Sequence, residues 1–101
     1  MTIYIDDITQ YPAKVISREA KKYGDKWCHL WTDGNIEELI NFAKKIGLKE
    51  SWLQKNRRFP HFDLVQSKRK IAIENGAIYI SLRDWYRLKM KEKQNEKRIL
   101  E

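Results

Sequence analysis

Lys26-Trp27-Cys28-His29-Leu30-Trp31-Thr32-Asp33 sets a ring at every second position. Period-two alternation marks a strand, with Trp27, His29 and Trp31 on one face and Cys28, Leu30 and Thr32 on the other. Asp33-Gly34-Asn35 then reads as a turn. A helix follows at once. Asn35 can cap it, and Glu38 three residues later completes an Asn variant of the capping box. Ile36, Leu39, Ile40, Ala43 and Ile46 recur at helical spacing, and Gly47 supplies a left-handed stop.

The same pairing of strand and helix extends in both directions. Thr2-Ile3-Tyr4-Ile5-Asp6 alternates and reads as a first strand. Residues 8–25, with Pro12 and Gly24 inside, fit either a short helix or an irregular excursion. After Gly47, Glu50–Gln54 reads as a turn or short helix leading into the basic loop Lys55-Asn56-Arg57-Arg58. Pro60 biases Phe59 towards extended geometry, and His61–Leu64 becomes a short strand. Ser67 can cap a second helix that Gly76 closes; Ala77–Ser81 is again strand-like. From Leu82 a final helix offers Leu82, Trp85, Tyr86 and Met90 for packing, and its last ten residues are expected to fray. Strands alternating with helices predict a small single-domain α/β protein. Its mostly parallel sheet of about four strands, flanked by helices, occupies residues 1–82, and residues 83–101 form a basic helical C-terminal extension.

Composition bounds what such a domain can do. The chain has 101 residues, 42% of them hydrophobic, which supports one core. Cys28 is the single cysteine, so an internal disulfide and a cysteine-only zinc site are excluded. The start MTIYIDD has no basic lead or long apolar run, so neither a signal peptide nor a membrane partner is expected, and a cytoplasmic location is. The net charge of +7 favours anionic partners: phosphates, nucleic acid or an acidic protein.

If the strands are parallel neighbours, their carboxyl ends share one edge of the sheet, where open α/β folds place their ligands. Asp6 and Asp7, Asp33, and Asp63 with His61 just before it would stand there, with helix starts at Asn35 and Ser67. In an extended segment His61 and Asp63 share a face, and Ser67 opens a helix whose positive end favours an anion. Arg69 in the first turn opposes the helix dipole, which is easier to understand if something negative lies between. Trp31 and Trp52 are candidate stacking rings, although tryptophan more often serves the core. Each histidine alone reads more readily as a partly buried structural residue.

The chemistry-bearing motifs are mostly missing. Two histidines and several carboxylates suit zinc, manganese or iron, but there is no HExxH and no His pair at helical spacing, so no metal and no cofactor is expected. No GxSxG, P-loop or GxGxxG occurs. Nucleic-acid binding has the KNRR loop and the basic tail in its favour, and ranks third.

These residues carry a resemblance. Thr2–Asp6, Cys28-His29-Leu30-Trp31-Thr32-Asp33, Glu38-Leu39 with Phe42-Ala43 through Ile46-Gly47, Trp52-Leu53-Gln54, and His61 to Ala77 resemble domain of unknown function family 4031 of bacteria and bacteriophages. The resemblance covers about residues 2 to 80. It implies no established activity. It does imply that Asp6, His29, Asp33, Gln54, His61, Asp63, Ser67 and Arg69 form a matched polar set, and it makes a phage origin plausible.

The leading expectation is therefore binding of a phosphate-bearing, nucleotide-derived small molecule, in a phage setting to sequester a host defence signal. Arg69 and Ser67 would hold the anion, while His29, His61, Gln54 and the aspartates read polar groups. A homo-oligomer would enclose the pocket. The alternative is a hydrolase, metal-dependent or not, acting on a nucleotide or phosphodiester with His29, His61, Asp33 and Asp63.

Overall fold

The computed structural model describes residues 2–18, 20–56 and 59–100, with side chains through Glu92. Five strands form one sheet: β1 (Ile3–Ile5), β2 (Thr9–Gln10), β3 (Lys26–Thr32), β4 (Phe62–Leu64) and β5 (Ile78–Tyr79). The helices are α1 (Ile36–Lys45), α2 (Gln66–Glu74) and α3 (Leu82–Leu100). Arg57 and Arg58 of the basic loop lie outside the described residues, and the tail expected to fray continues in α3 to Leu100.

The sheet is mixed, which corrects the expectation of mostly parallel pairing. β3 is its centre. β1 and β2 pair antiparallel with one edge of β3 and β4 pairs antiparallel with the other; only β5 runs parallel, beside β1. The cause lies in residues 8–25. A parallel return needs a crossover, usually a helix, whereas an antiparallel one needs only a turn. That segment holds β2 and two single 3₁₀ turns, Ala13–Val15 and Ala20–Tyr23. The chain therefore comes back as a long hairpin.

The hairpin has a fault in its register. Ile5 pairs with Leu30, but Thr9 pairs with Trp27, so the first strand carries one residue more than its partner around positions 7 and 8. This is a β-bulge, which bends a strand and re-aims its side chains. It falls immediately after Asp6.

Alternation sorts the sheet into two faces. Ile3, Ile5, Cys28, Leu30, Phe62 and Leu64 form a buried cluster with Leu39, Ala43 and Ile46 of the α1 segment and Ala72 of α2. The opposite face carries Tyr4, His29, Trp31 and Asp63, set by the pairs Tyr4↔Trp31 and His29↔Asp63. Trp85 of α3 packs onto that face against Tyr4 and Trp31, with ring centroids 4.7 and 5.7 Å away. α3 thus begins as part of the domain.

Helix ends follow the sequence closely at α1 and less so at α2. The Asn35 side chain accepts a hydrogen bond from the Glu37 amide at 2.9 Å, and Gly47 has φ +88°. α2 starts at Gln66 with Val65 at its N-cap and no side-chain cap, so Ser67 lies inside the first turn and does not cap it.

Candidate functional site

The second face of the sheet gathers its polar groups around His29, in the middle of β3. The Asp6 side chain lies next to His29 on the adjoining strand and is almost buried, at 6% exposure. A buried carboxylate needs hydrogen-bond donors. Asp6 receives two from one residue: the His29 amide donates to Oδ1 and the imidazole Nδ1 donates to Oδ2 at 2.8 Å. Its backbone carbonyl accepts a third, from Arg69 Nε at 2.9 Å. Arg69, on the first turns of α2, is thereby tied to the same residue as His29.

β4 supplies the other half. His61 and Asp63 are two residues apart and share a face, and the β3–β4 register sets Asp63 opposite His29. The two imidazole centroids are 5.1 Å apart. His61 Nδ1 donates to the Phe59 carbonyl at 2.8 Å, and the Phe59 ring stacks on His61 with 24° between planes. With both Nδ1 atoms facing acceptors, Nε2 of each neutral ring is an acceptor, and a second proton on His61 would sit on Nε2 towards Asp63. The two Nε2 atoms face Asp63 Oδ1, at 4.0 Å from His29 and 3.5 Å from His61. The Tyr11 hydroxyl lies 3.3 Å from His29 Nε2 and donates to it. Donor atoms of His29, His61 and Asp63 fall within 4.8 Å of one another, the set among the described residues that could hold a metal ion.

The titrating groups respond to this crowding. Burial pushes His61 down, but its hydrogen bonds to Asp63 and the Phe59 carbonyl outweigh that and hold it above the ordinary range. Burial and the charges of Asp6 and Asp63 raise Tyr11, so its phenol stays neutral. Behind the site, burial and Asp6 push Cys28 up to about 12, so it is core and not a nucleophile.

A rim adjoins Arg69. Its guanidinium stands 5.9 Å over the Tyr79 ring, and the Tyr79 hydroxyl donates to Asp7 at 2.7 Å. An open groove along Gln66, Ser67, Arg69, Lys70, Ile73 and Glu74 shares Arg69 with the site but contains neither histidine.

Of the sequence-derived residues, Asp6, His29, His61, Asp63 and Arg69 are brought together. Gln54 exchanges both backbone hydrogen bonds with His61, which places it beside His61 on the same face. Asp33 is elsewhere. β1 and β3 are antiparallel, so their carboxyl ends point apart, and Asp33 binds the Thr2 amide and Tyr4 hydroxyl at the far end of β3. At about 3.3 Å per residue it stands roughly 13 Å from His29 along the strand. Ser67 is exposed on the α2 flank. Trp31 is packed away at 1% exposure against Tyr4, Phe59 and Trp85, and cannot offer a ring to a ligand as it stands. Trp52, 40% exposed, lies under Lys49 in the turn after α1. Tyr11, Phe59 and Tyr79 escaped sequence reasoning. Tyr11 belongs to the segment of mixed signals, Phe59 reads as a loop residue before proline, and Tyr79 reads as one more strand aromatic.

A mixed-sheet α/β domain with a His-Asp cluster on its second face, and an arginine from α2 tied to the Asp6 backbone, is the class that fold and site define. The chain belongs to the family described as Protein of unknown function (DUF4031), whose model matches residues 3–92. That match reaches beyond the 80 or so residues of the sequence resemblance and takes in Trp85 and the first half of α3. The chain is also similar to Uncharacterized protein YneQ of Bacillus subtilis (strain 168), 38% identical over 40 residues, which span 40% of this chain and 40% of that protein. No solved structure matches. No helix among the described residues is long and apolar enough to cross a membrane.

Proposed function

We propose that the chain binds a phosphate-bearing, nucleotide-derived small molecule around the Asp6 end of β1. The observation that carries the proposal is the state of Arg69. Its Nε is anchored on the Asp6 carbonyl, yet among the described residues no carboxylate forms an ion pair with it. A guanidinium fixed at one nitrogen presents its remaining donors in a planar fork that matches phosphate. His29, His61, Asp63 and Gln54, on the other side of Asp6, would read the ligand's polar groups. Tyr79, 51% exposed beside Arg69, replaces Trp31 as the ring available to a base. Closure of this open site by a second copy of the chain, and sequestration of a host signal by a phage-borne protein, belong to the same proposal.

Hydrolysis of the bound phosphoester is the second reading. It is favoured by His61 Nε2, which can accept a proton beside Asp63. Asp33, at the other end of β3, has no part in it.

Calorimetric titration with a panel of nucleotides tests the proposal. A hydrogen bond to a charged group contributes about 1.5–3 kcal/mol, so Arg69→Ala should weaken binding roughly tenfold to a hundredfold. Unchanged affinity in a folded Arg69→Ala protein refutes the role. Chromatography of the same mixtures separates the readings: intact ligand supports binding alone, and new products support the hydrolase.

A further inference from the structure

We propose that His29, His61 and Asp63 form a binding site for a divalent first-row transition-metal ion of the zinc type. The argument begins with hydrogen-bond accounting. His29 Nδ1 donates to Asp6 and His61 Nδ1 donates to the Phe59 carbonyl, each at 2.8 Å. With both rings neutral, the inward atoms, His29 Nε2, His61 Nε2 and Asp63 Oδ1, are then all acceptors, and the Tyr11 hydroxyl is the one described donor directed at any of them. Three converging lone pairs repel unless a proton or a metal cation lies between them.

The spacing fits such an ion. Ligands bonded at about 2.0–2.1 Å to a tetrahedral zinc lie roughly 3.3 Å apart. Asp63 Oδ1 is 3.5 Å from one Nε2 and 4.0 Å from the other, and all three atoms lie within 4.8 Å. Small rotations of side chains close the remainder, with Asp63 free to move at 37% side-chain exposure. The outer partners are those a metal centre requires. A ligating imidazole gives its second N–H to a carboxylate or backbone carbonyl, which fixes ring and tautomer. Asp6 and Phe59 do this for the two histidines. Two imidazoles and one carboxylate suit a borderline ion, and three protein ligands leave a coordination position open to water or to a ligand oxygen.

The site shares residues with the phosphate reading and stands without it. The test therefore contains no phosphate compound. The untagged 101-residue chain, stripped with chelator and dialysed, is titrated calorimetrically with zinc chloride and, separately, manganese chloride; cobalt substitution reports coordination by visible absorption. One ion per chain is expected. His61→Ala and Asp63→Asn should each weaken uptake at least about tenfold, and Asp6→Asn, which leaves every ligand in place, by about 10–100-fold. Asp33→Asn, at the far end of β3, should change nothing. Circular dichroism establishes that each variant is folded, and the partly exposed Asp63 carries the test if His61→Ala is not. No uptake by the unmodified chain, or uptake indifferent to Asp63→Asn, overturns the proposal. Metal uptake without nucleotide affinity would leave it standing and sink the phosphate reading, and the converse result would do the opposite.

Discussion

Asp6 shows what single residues contribute here. It is the buried carboxylate of the chain's described core, and both of its oxygens are taken by His29. Nothing in TIYID announces that partnership, because it depends on which strand lies beside β1. What the sequence did disclose was parity: His29 and Trp31 on one face, Cys28 and Leu30 on the other, as observed. Cys28 offers a test of that parity. With its thiol pushed up to about 12 by burial and by Asp6, the thiolate fraction at pH 8 is about one in ten thousand. Native protein should leave iodoacetamide unreacted over hours, and guanidinium should release one fast-reacting thiol. The linkage has a definite sign. The folded thiol keeps its proton at pH values where the unfolded one has lost it, so stability is full below the unfolded value near 9 and falls as pH rises towards 12. Urea midpoints at pH 7.5 and 10 should show that fall, smaller in Cys28→Val. Rapid labelling of the native state would place Cys28 outside the core.

At the scale of elements, legibility followed locality. α1 was readable to the residue because its signals are contiguous: a cap, an apolar stripe and a glycine stop. The hairpin was not. Pro12 and Gly24 could not show whether residues 8–25 cross over the sheet or turn back, and that single ambiguity inverted the relation between β1 and β3. Asp33 was lost from the site for the same reason. His29, His61 and Asp63 were gained at a place the parallel model did not foresee, on the sheet's face and not at its edge. No metal motif exists in the sequence because the three groups come from two strands separated by α1 and a loop. The readable element yields a sharp prediction. Gly47 has φ +88°, and a Cβ there would stand 2.8 Å from Lys68 Nζ, which itself donates to the Ile46 carbonyl at 3.0 Å. Gly47→Ala should therefore cost about 1 kcal/mol or more, through the left-handed backbone and the displaced lysine together. Asn35→Ala at the other end should cost about 1 kcal/mol. Urea denaturation measures both, and a neutral Gly47→Ala would show that the turn relaxes without strain.

Across the whole molecule, one sheet serves two environments. Its first face is aliphatic and sealed by α1 and α2; its second is aromatic at one end and polar at the other, where Phe59 bridges Trp31 and His61. The aromatic end is closed by α3, and this bears on where the domain stops. A boundary at residue 82 treats α3 as an appendage. Yet Trp85 is buried against Tyr4 and Trp31, Lys89 lies 4.6 Å over its ring, and the family model continues to residue 92. Truncating a buried tryptophan to alanine costs about 3–5 kcal/mol. A chain of 101 residues has roughly 5–15 kcal/mol in total. Trp85→Ala should then bring the protein near the limit of stable folding, and a chain ending at Leu82 should lose its cooperative thermal transition. Trp85→Phe, which keeps a ring in the gap, should retain most of the stability. Because Trp31 connects Trp85 to Phe59, loss of the α3 contact should also loosen the imidazole cluster and weaken metal uptake before the fold is lost. A sharp, unshifted melt for the chain ending at Leu82 would show instead that the sheet closes its second face without α3.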